Sequence, residues 1–371
     1  MEFTIELAAP ADEPAIRRLL ASNPVPGRIT VTYQREPDYF LGCGTMGNFW
    51  QVIVGRHRPT GQLAGVMCRA TRPLFINGQV EEVGYLSQLR IDEQFRGRWL
   101  VSQGFPYLRR LYEDGRVTGS IATIIEGSEE AAGILVKKPR RHFAQFWEMD
   151  RLWVMALVLR KPRFGTKRRA GFYRIERGTE ATLSEVVAFL REQGAAKQFY
   201  PAYTEADFQD SPLTRDFQIE DFVLARLGDK LVGVVGLWDQ SSYKQTIVQS
   251  YHGSLGRFRP VYNLGLRLLG ARPLPAPGER IRYLFASFIC VASNDPAIFR
   301  ALLQHACDLA TRRGYAYLMI GLMESDPLLA VARRYMHIPY HSRLYTVCWE
   351  DQATWPDKLD GRPRYLELAA L

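Results

Sequence analysis

The residues best suited to chemistry form a short basic turn, Gln94-Phe95-Arg96-Gly97-Arg98. It follows a strand-like stretch, Leu89-Arg90-Ile91, and a helix is predicted to begin near Leu100. The first N–H groups of a helix have no partner within it, and the helix dipole adds positive potential. Gly97 lets a ligand approach the backbone, and the two arginines add positive charge. We therefore predict a diphosphate site at this turn.

The turn is similar to the acetyl-CoA loop of the GNAT (GCN5-related N-acetyltransferase) superfamily, which reads Gln/Arg-x-x-Gly-x-Gly/Ala. Gln94, Arg96 and Gly97 match this pattern, and Leu89-x-Ile91 resembles the strand whose backbone pairs with the pantetheine arm. Trp99 departs from it, because the family has a small residue there. Its indole either packs beside the helix or plugs the site. The resemblance implies acetyl-CoA or another acyl-CoA as co-substrate, held by Leu89, Arg90, Ile91 and the residues from Gln94 to Leu100.

Transfer of an acyl group from a thioester to an amine needs a base that keeps the amine neutral and a donor that stabilises the oxyanion. In the GNAT superfamily, the splayed strand before the loop supplies both. Here that strand begins with Glu81-Glu82, and Tyr85 follows. Glu81, Glu82 and Tyr85 are therefore the candidate catalytic residues. In the same superfamily the acid is often a tyrosine in the helix after the following strand. Here that helix is expected at 128–138 and contains no tyrosine, so no acid is assigned.

The elements that position this turn occur twice along the 371 residues. Apolar periodicity and turn signals predict the order β-α-β-β-β-α-β-α-β in each half. The repeat of about 200 residues is too long for a solenoid and indicates duplicated domains. We predict an α/β protein with two tandem GNAT domains, each a mixed sheet flanked by helices. The predicted boundaries are 1–160, a basic linker at 161–171, 172–350, and a C-terminal tail at 351–371.

The second half lacks the chemistry of the first at the matching turn, Ala292-Ser293-Asn294-Asp295-Pro296-Ala297-Ile298-Phe299. This stretch has no glycine and no arginine, and Pro296 removes an N–H that a phosphate would need. We therefore expect acyl-CoA to bind only the first half, with a degenerate GNAT domain after it. A Gly-, Pro- and Arg-rich insertion at 252–279 is predicted to be functional or flexible.

The formal net charge of +9 favours anionic partners, among them coenzyme A, nucleic acid and an anionic membrane surface. Nucleic acid is disfavoured, because aromatic residues do not interleave with the basic runs at 137–142 and 160–169. Five scattered cysteines predict free buried thiols in a reducing cytoplasm. No metal-ligand spacing, secretory signal or bilayer-length apolar run is found.

The leading hypothesis is an acyl-CoA-dependent N-acyltransferase that acts on a small-molecule or peptide amine. Two alternatives remain open at this point. One is a tRNA-dependent aminoacyl transferase with the same tandem architecture, which the basic linker and insertion suit. The other is a non-catalytic binding protein on a decayed GNAT scaffold, which Trp99 and the altered second turn suit.

Overall fold

The structure is a computed structural model that describes residues 2–97, 100–117, 119–128, 132–133, 135–136, 143–161, 172–350 and 355–371. Arg98 and Trp99 therefore lie outside the described residues, and so does the basic run at 137–142. The same holds for the predicted linker after its first residue.

The strands are β1 Phe3–Leu7, β2 Ile29–Gln34, β3 Phe49–His57, β4 Leu63–Ile76, β5 Gln79–Ile91, β6 Ser120–Ile125, β7 Gln145–Val158, β8 Arg174–Arg177, β9 Phe222–Leu227, β10 Lys230–Trp238, β11 Gln245–Tyr251, β12 Tyr283–Val291, β13 Tyr317–Met323 and β14 His337–Cys348. The helices are α1 Glu13–Ala21, α2 Leu100–Tyr112, α3 Leu183–Gly194, α4 Gly253–Arg257, α5 Arg259–Leu268, α6 Pro296–Arg312 and α7 Leu329–Ala332. Hairpins join β3 to β4 and β9 to β10.

Within the described residues, one sheet of twelve strands runs through both halves in the order β1-β3-β4-β5-β6-β14-β7-β13-β12-β10-β9-β8. Two neighbouring pairs are parallel, β5 with β6 and β12 with β13, and the others are antiparallel. Helices pack on this sheet: α2 contacts β1, α3 contacts β10 and β12, and α6 contacts β9 and β10. The mixed sheet flanked by helices is the architecture that the sequence predicts.

The last strands of the two halves are exchanged. β14, from the second half, pairs with β6 of the first half from Ser342↔Ile125 to Val347↔Ser120. β7, from the first half, pairs with β13 of the second half from Tyr317↔Val158 to Met323↔Leu152. The two exchanged strands also pair with each other. The division of the sequence into separate domains does not foresee this exchange, and neither half has a complete sheet without the other.

The start of α2 is fixed by a close contact with two glycines. Leu100 is buried with Phe3, Ala64 and Phe95. A Cβ atom on Gly55 would lie 2.5 Å from the Leu100 side chain, and one on Gly65 would lie 2.9 Å from it. These glycines leave room on β3 and β4 for the leucine, so that the helix begins directly after the basic turn.

The predicted C-terminal tail, 351–371, contributes residues to the core. Tyr365, Leu366, Leu368, Ala369 and Ala370 are buried. Gln240 and Lys244 both donate to the Ala369 carbonyl, each at 2.9 Å. We refer to residues 365–371 as the C-terminal segment, and it forms part of the core.

A second sheet, of two strands, also joins the halves. β2 of the first half pairs with β11 of the second, from Gln245↔Gln34 to Tyr251↔Ile29. The insertion after β11 contains the two helices α4 and α5. The sequence predicted neither strand, and it predicted the insertion only as a loop.

Candidate functional site

The basic turn lies between β5 and α2, as the sequence predicts. The Asp92 side chain accepts from Gln94 N at 3.0 Å, and Arg96 N donates to the Glu93 carbonyl at 3.3 Å. Amides that a diphosphate could use therefore begin at Gly97. Gly97 has a φ of 71°, and a Cβ atom added there would meet no atom of the described residues within 4 Å. The turn thus presents an open backbone.

Of the two arginines of the turn, only Arg96 lies within the described residues. Arg96 is exposed, and its guanidinium donates to Asn23 Oδ1 at 2.8 Å, next to the end of α1. This contact holds the Arg96 side chain beside the turn. Arg98 and Trp99 lie outside the described residues, so both positions of the indole stay open.

A V-shaped cleft opens between β5 and β6 just before the turn. The strands pair only at Gly84↔Ser120, Tyr85↔Ile121 and Leu86↔Ala122, and beyond these pairs they separate. On the opposite side of β5, the register with β4 shifts between Val66 and Cys68. Gln88 lies at this bulge with a φ of 57°. We call this opening the first cleft.

The second half repeats this geometry. β12 and β13 pair at Tyr283↔Tyr317, Leu284↔Leu318 and Phe285↔Met319 and then separate. The register of β12 with β10 also shifts, and Phe288 lies at the bulge with a φ of 55°. We call the opening between β12 and β13 the second cleft.

The C-terminal segment fills the second cleft. Glu367 Oε2 accepts from Phe288 N at 2.7 Å, and the Tyr365 hydroxyl accepts from Ile289 N at 3.2 Å. On β13, a Cβ atom on Gly321 would lie 3.0 Å from Leu368 Cβ. The matching bulge amides of the first cleft belong to Gln88 and Leu89. Among the described side chains, no acceptor is bonded to either of them.

Tyrosines from both halves surround the first cleft. Tyr85 is buried and shares a hydrogen bond of 3.2 Å with Thr123 Oγ1, and burial raises the pKa of its hydroxyl to about 12. Tyr33, on β2, lies close enough to Tyr340, on β14, for each hydroxyl to influence the pKa of the other. Burial also raises the pKa of Tyr33, and raises that of Tyr340 well above its usual value. These hydroxyls are protonated at neutral pH, so they can donate hydrogen bonds but cannot act as bases.

Buried cations lie close to these tyrosines. Burial is the largest influence on the pKa of Arg90 and lowers it, although the neighbouring Tyr33 and Tyr39 oppose that effect. Arg35 is almost fully buried, and its guanidinium lies 4.9 Å from the Tyr39 ring and 3.5 Å from Cys43 Sγ. Burial and Arg35 lower the pKa of Lys244 well below its usual value. The interior beside the first cleft is therefore electropositive.

The structure brings together some of the predicted site residues and leaves others apart. Tyr85 lies at the apex of the first cleft, and Leu89, Arg90 and Ile91 lie along its β5 side. Glu81 and Glu82 are exposed near the other end of β5, opposite Leu74 and Pro73. Both glutamates precede Gly84, the first residue of β5 that pairs with β6, and at about 3.3 Å per residue Glu82 is roughly 13 Å from Leu86, where the strands begin to separate. The two glutamates therefore do not line the cleft.

Sequence reasoning did not find Tyr33, Tyr340, Arg35 or Lys244. Tyr33 and Lys244 lie at or near the ends of the β2–β11 sheet, and Tyr340 lies on the exchanged strand. No local pattern marks Tyr33, Tyr340 or Lys244, because each lies beside a residue from the opposite half of the chain. Arg35 lies beside Tyr39 and Cys43, which are close in sequence, but β2 before it was not predicted.

The solved structures that resemble this one include the following three. A GCN5-related N-acetyltransferase from Sphaerobacter thermophilus matches with a TM-score of 0.59 and 13% identity, over 93% of this chain and 95% of that one. N-myristoyltransferase from Saccharomyces cerevisiae, with bound myristoyl-CoA, matches with a TM-score of 0.60 and 10% identity, over 93% and 82%. A GCN5-related glucosamine N-acetyltransferase region of a fungal multi-domain beta-N-acetylglucosaminidase matches with a TM-score of 0.59 and 11% identity, over 93% and 38%.

The chain therefore has the fold of GNAT-type acyltransferases, and the resemblance inferred from the basic turn is confirmed at the level of the fold. The match extends through both halves, since nearly the whole chain is covered. Comparison of the sequence with models of protein families and with curated proteins finds no match.

Two further properties limit the kinds of site that the described residues form. No cluster of three or more histidine, cysteine, aspartate or glutamate side chains there could hold a metal ion. None of the helices in the described ranges is long and apolar enough to cross a membrane. All five cysteines are buried and free, as the sequence predicts.

Proposed function

We propose that this protein is an acyl-CoA-dependent N-acyltransferase that binds one acyl-CoA, in the first cleft. The observation that carries the proposal is the contrast between two equivalent bulges. The amides of Phe288 and Ile289 are bonded to the C-terminal segment, whereas no described side chain is bonded to those of Gln88 and Leu89. In the GNAT fold this stretch of strand pairs with pantetheine, so only the first cleft offers that edge.

The diphosphate is proposed to lie at the basic turn. Gly97 N would donate to it, and Arg96 would supply charge from the side of α1. A pantetheine arm that extends from there along Ile91, Arg90 and Leu89 would bring the thioester to the apex of the cleft, beside Tyr85.

An acetyl group suits this apex better than a long acyl chain. The space beside Tyr85, Val83 and Ile121 has a volume of about 30 Å³, and the C-terminal segment closes it through Leu366 and Leu371. A volume of that size holds about one water molecule or methyl group. We therefore propose acetyl-CoA as the donor.

The surroundings of the cleft also favour the chemistry of amine acylation. A cationic neighbour disfavours the protonated form of an amine, so Arg90 and Arg35 would help to keep an acceptor amine neutral without a carboxylate base. Tyr85, Tyr33 and Tyr340 can donate to a developing oxyanion or to the leaving thiolate. The acceptor is proposed to be a small molecule or peptide with a primary amine.

Replacement of Gly97 by valine is expected to weaken acetyl-CoA binding by at least about tenfold, or 1.4 kcal/mol. The branched side chain would occupy the open space where the diphosphate is proposed to lie, and it would disfavour the positive φ. Isothermal titration calorimetry of the wild type should give one site per chain. Myristoyl-CoA should bind more weakly than acetyl-CoA.

Gly61→Val is the matched control, because Gly61 has a φ of 68°, has no atom within 4 Å of its would-be Cβ, and lies outside the site. Its backbone strain should resemble that of Gly97→Val, while acetyl-CoA binding stays unchanged. Absence of binding to the wild type, or two equivalent sites per chain, would contradict the proposal.

A further inference from the structure

Helix α5 exposes its apolar face to solvent and contacts the rest of the protein through its polar face. Phe258, Val261, Tyr262, Leu264, Leu268 and Leu269 are all exposed. At about 100° per residue, they share one arc of roughly 160° around the helix axis. A surface helix of a globular protein normally turns such a face toward the core.

Hydrogen bonds of the polar face fix this orientation. Asn263 Oδ1 accepts from Leu274 N at 2.8 Å, and the Arg259 guanidinium donates to the Leu274 carbonyl at 3.3 Å. The Tyr251 hydroxyl donates to the Pro275 carbonyl at 2.8 Å and anchors the same strip of chain. These contacts of the polar face therefore keep the apolar face of α5 turned toward solvent.

The charge around the exposed face is mostly positive, since the only acidic residue of the insertion is Glu279 at its far end. Residues 252–278 contain Arg257, Arg259, Arg267 and Arg272 and no aspartate or glutamate. Arg257, Arg267 and Arg272 are exposed. Arg160 and Lys161, also exposed, lie beside the end of α5, because Lys161 N donates to the Gly270 carbonyl at 3.0 Å.

A groove along α5 combines both properties. It has a volume of about 300 Å³ and is lined by Arg259, Pro260, Asn263, Leu264 and Arg267. Arg259 Nε is buried there and has no hydrogen-bond partner among the described residues. A phosphate group in this groove would meet two guanidinium groups next to exposed aliphatic side chains.

We propose that α5 docks the protein on an anionic phospholipid bilayer. Val261, Leu264 and Leu268 would enter the boundary between headgroups and acyl chains, and Arg257, Arg267 and Arg272 would pair with lipid phosphates. A helix with an aliphatic face and flanking arginines lies in the plane of such an interface. A protein partner of that chemistry would need an apolar groove with an acidic rim, whereas a bilayer offers both features over a continuous surface.

Flotation with vesicles tests the proposal on the whole chain. The wild type should float with phosphatidylcholine vesicles that contain roughly one-third phosphatidylglycerol, and should not float with phosphatidylcholine alone. Together, Val261→Ser, Leu264→Ser and Leu268→Ser should reduce the bound fraction at least about tenfold, as should Arg257→Gln with Arg267→Gln. The three apolar side chains are 66%, 58% and 78% exposed, so folding should not depend on them.

The control carries three serines at exposed aliphatic positions elsewhere: Val80→Ser, Leu227→Ser and Ile338→Ser. This variant should float like the wild type. The proposal is overturned if the wild type does not float with anionic vesicles. It is also overturned if the α5 serine variant still floats, because basic residues elsewhere would then account for binding. A wild-type dimer in light scattering that the same serines dissociate would also overturn it, in favour of a second copy of the chain.

Discussion

Replacement of Glu367 by alanine is expected to lower the free energy of unfolding by about 3–5 kcal/mol, because it removes an acceptor that two buried donors share. Glu367 Oε2 accepts from Phe288 N at 2.7 Å and from the Tyr365 hydroxyl at 2.8 Å. A buried donor that loses its partner costs about 1–3 kcal/mol. Urea unfolding followed by circular dichroism measures the loss.

Glu367→Gln should cost much less, about 1 kcal/mol, because the amide oxygen can still accept from Phe288 N and Tyr365. The amide nitrogen would then face Ala369 N, which donates to Glu367 Oε1 at 3.3 Å in the wild type. Equal losses for alanine and glutamine would show that the carboxylate does not act through these bonds.

The stabilities of the wild type and of Glu367→Gln should also depend differently on pH. Burial is the largest influence on the pKa of the Glu367 carboxyl and raises it, against the hydrogen bonds that lower it. A carboxyl with a raised pKa stabilises the fold fully below its unfolded value of 4.5, and this contribution is lost as the pH rises through the folded pKa. The wild type should therefore lose stability relative to Glu367→Gln as the pH increases from about 4.5 to 8. If the stability of the wild type instead rises relative to that of Glu367→Gln as the pH increases, the hydrogen bonds outweigh burial in setting this pKa.

Replacement of Asp114 by alanine is expected to cost about 3–5 kcal/mol, because it leaves a buried guanidinium without its counter-ion. Arg69 is fully buried on β4, and its two terminal nitrogens donate to the Asp114 carboxylate at 2.7 and 2.9 Å. Among the described residues, Gln51 Oε1, at 2.8 Å, and the rings of Tyr112 and Phe49, at 4.5 and 6.0 Å, would remain as partners. Chemical unfolding measures the change.

Glu113→Ala, at the exposed neighbouring position, is the control and should stay within about 0.5 kcal/mol of the wild type. The double variant Arg69→Met with Asp114→Ala should recover much of the stability, because no uncompensated charge remains. If Asp114→Ala and the double variant lose the same amount, packing of the Arg69 side chain, rather than its charge, accounts for the effect.

The basic turn and the order of elements could be predicted because their signals are local. Gly97 requires no distant partner to adopt a positive φ, and the hairpins are specified by turn residues between apolar strands. The bulge at Gln88 has no such signal, since any residue in β5 could carry it.

The exchange of β7 and β14 could not be predicted for a different reason. An apolar pattern states which face of a strand is buried, but not which neighbour it pairs with. Either β7 or β14 could pair with the edge of β6. Tyr33 and Tyr340 approach each other only because β2 and β14 cross to the opposite halves, so the lining of the first cleft follows from a choice that the sequence pattern leaves open.

The order of the twelve strands has a pseudo-twofold axis between β14 and β7. From that axis outward, β6 corresponds to β13, β5 to β12, β4 to β10, β3 to β9 and β1 to β8. Such an isologous arrangement is that of a symmetric homodimer whose subunits exchange their last strands, here joined into one chain. In a homodimer, a segment that fills one cleft would fill both. Fusion places a single copy of residues 365–371 in the chain, so that the bulge amides of one cleft are bonded to this segment while those of its counterpart are bonded to no described side chain.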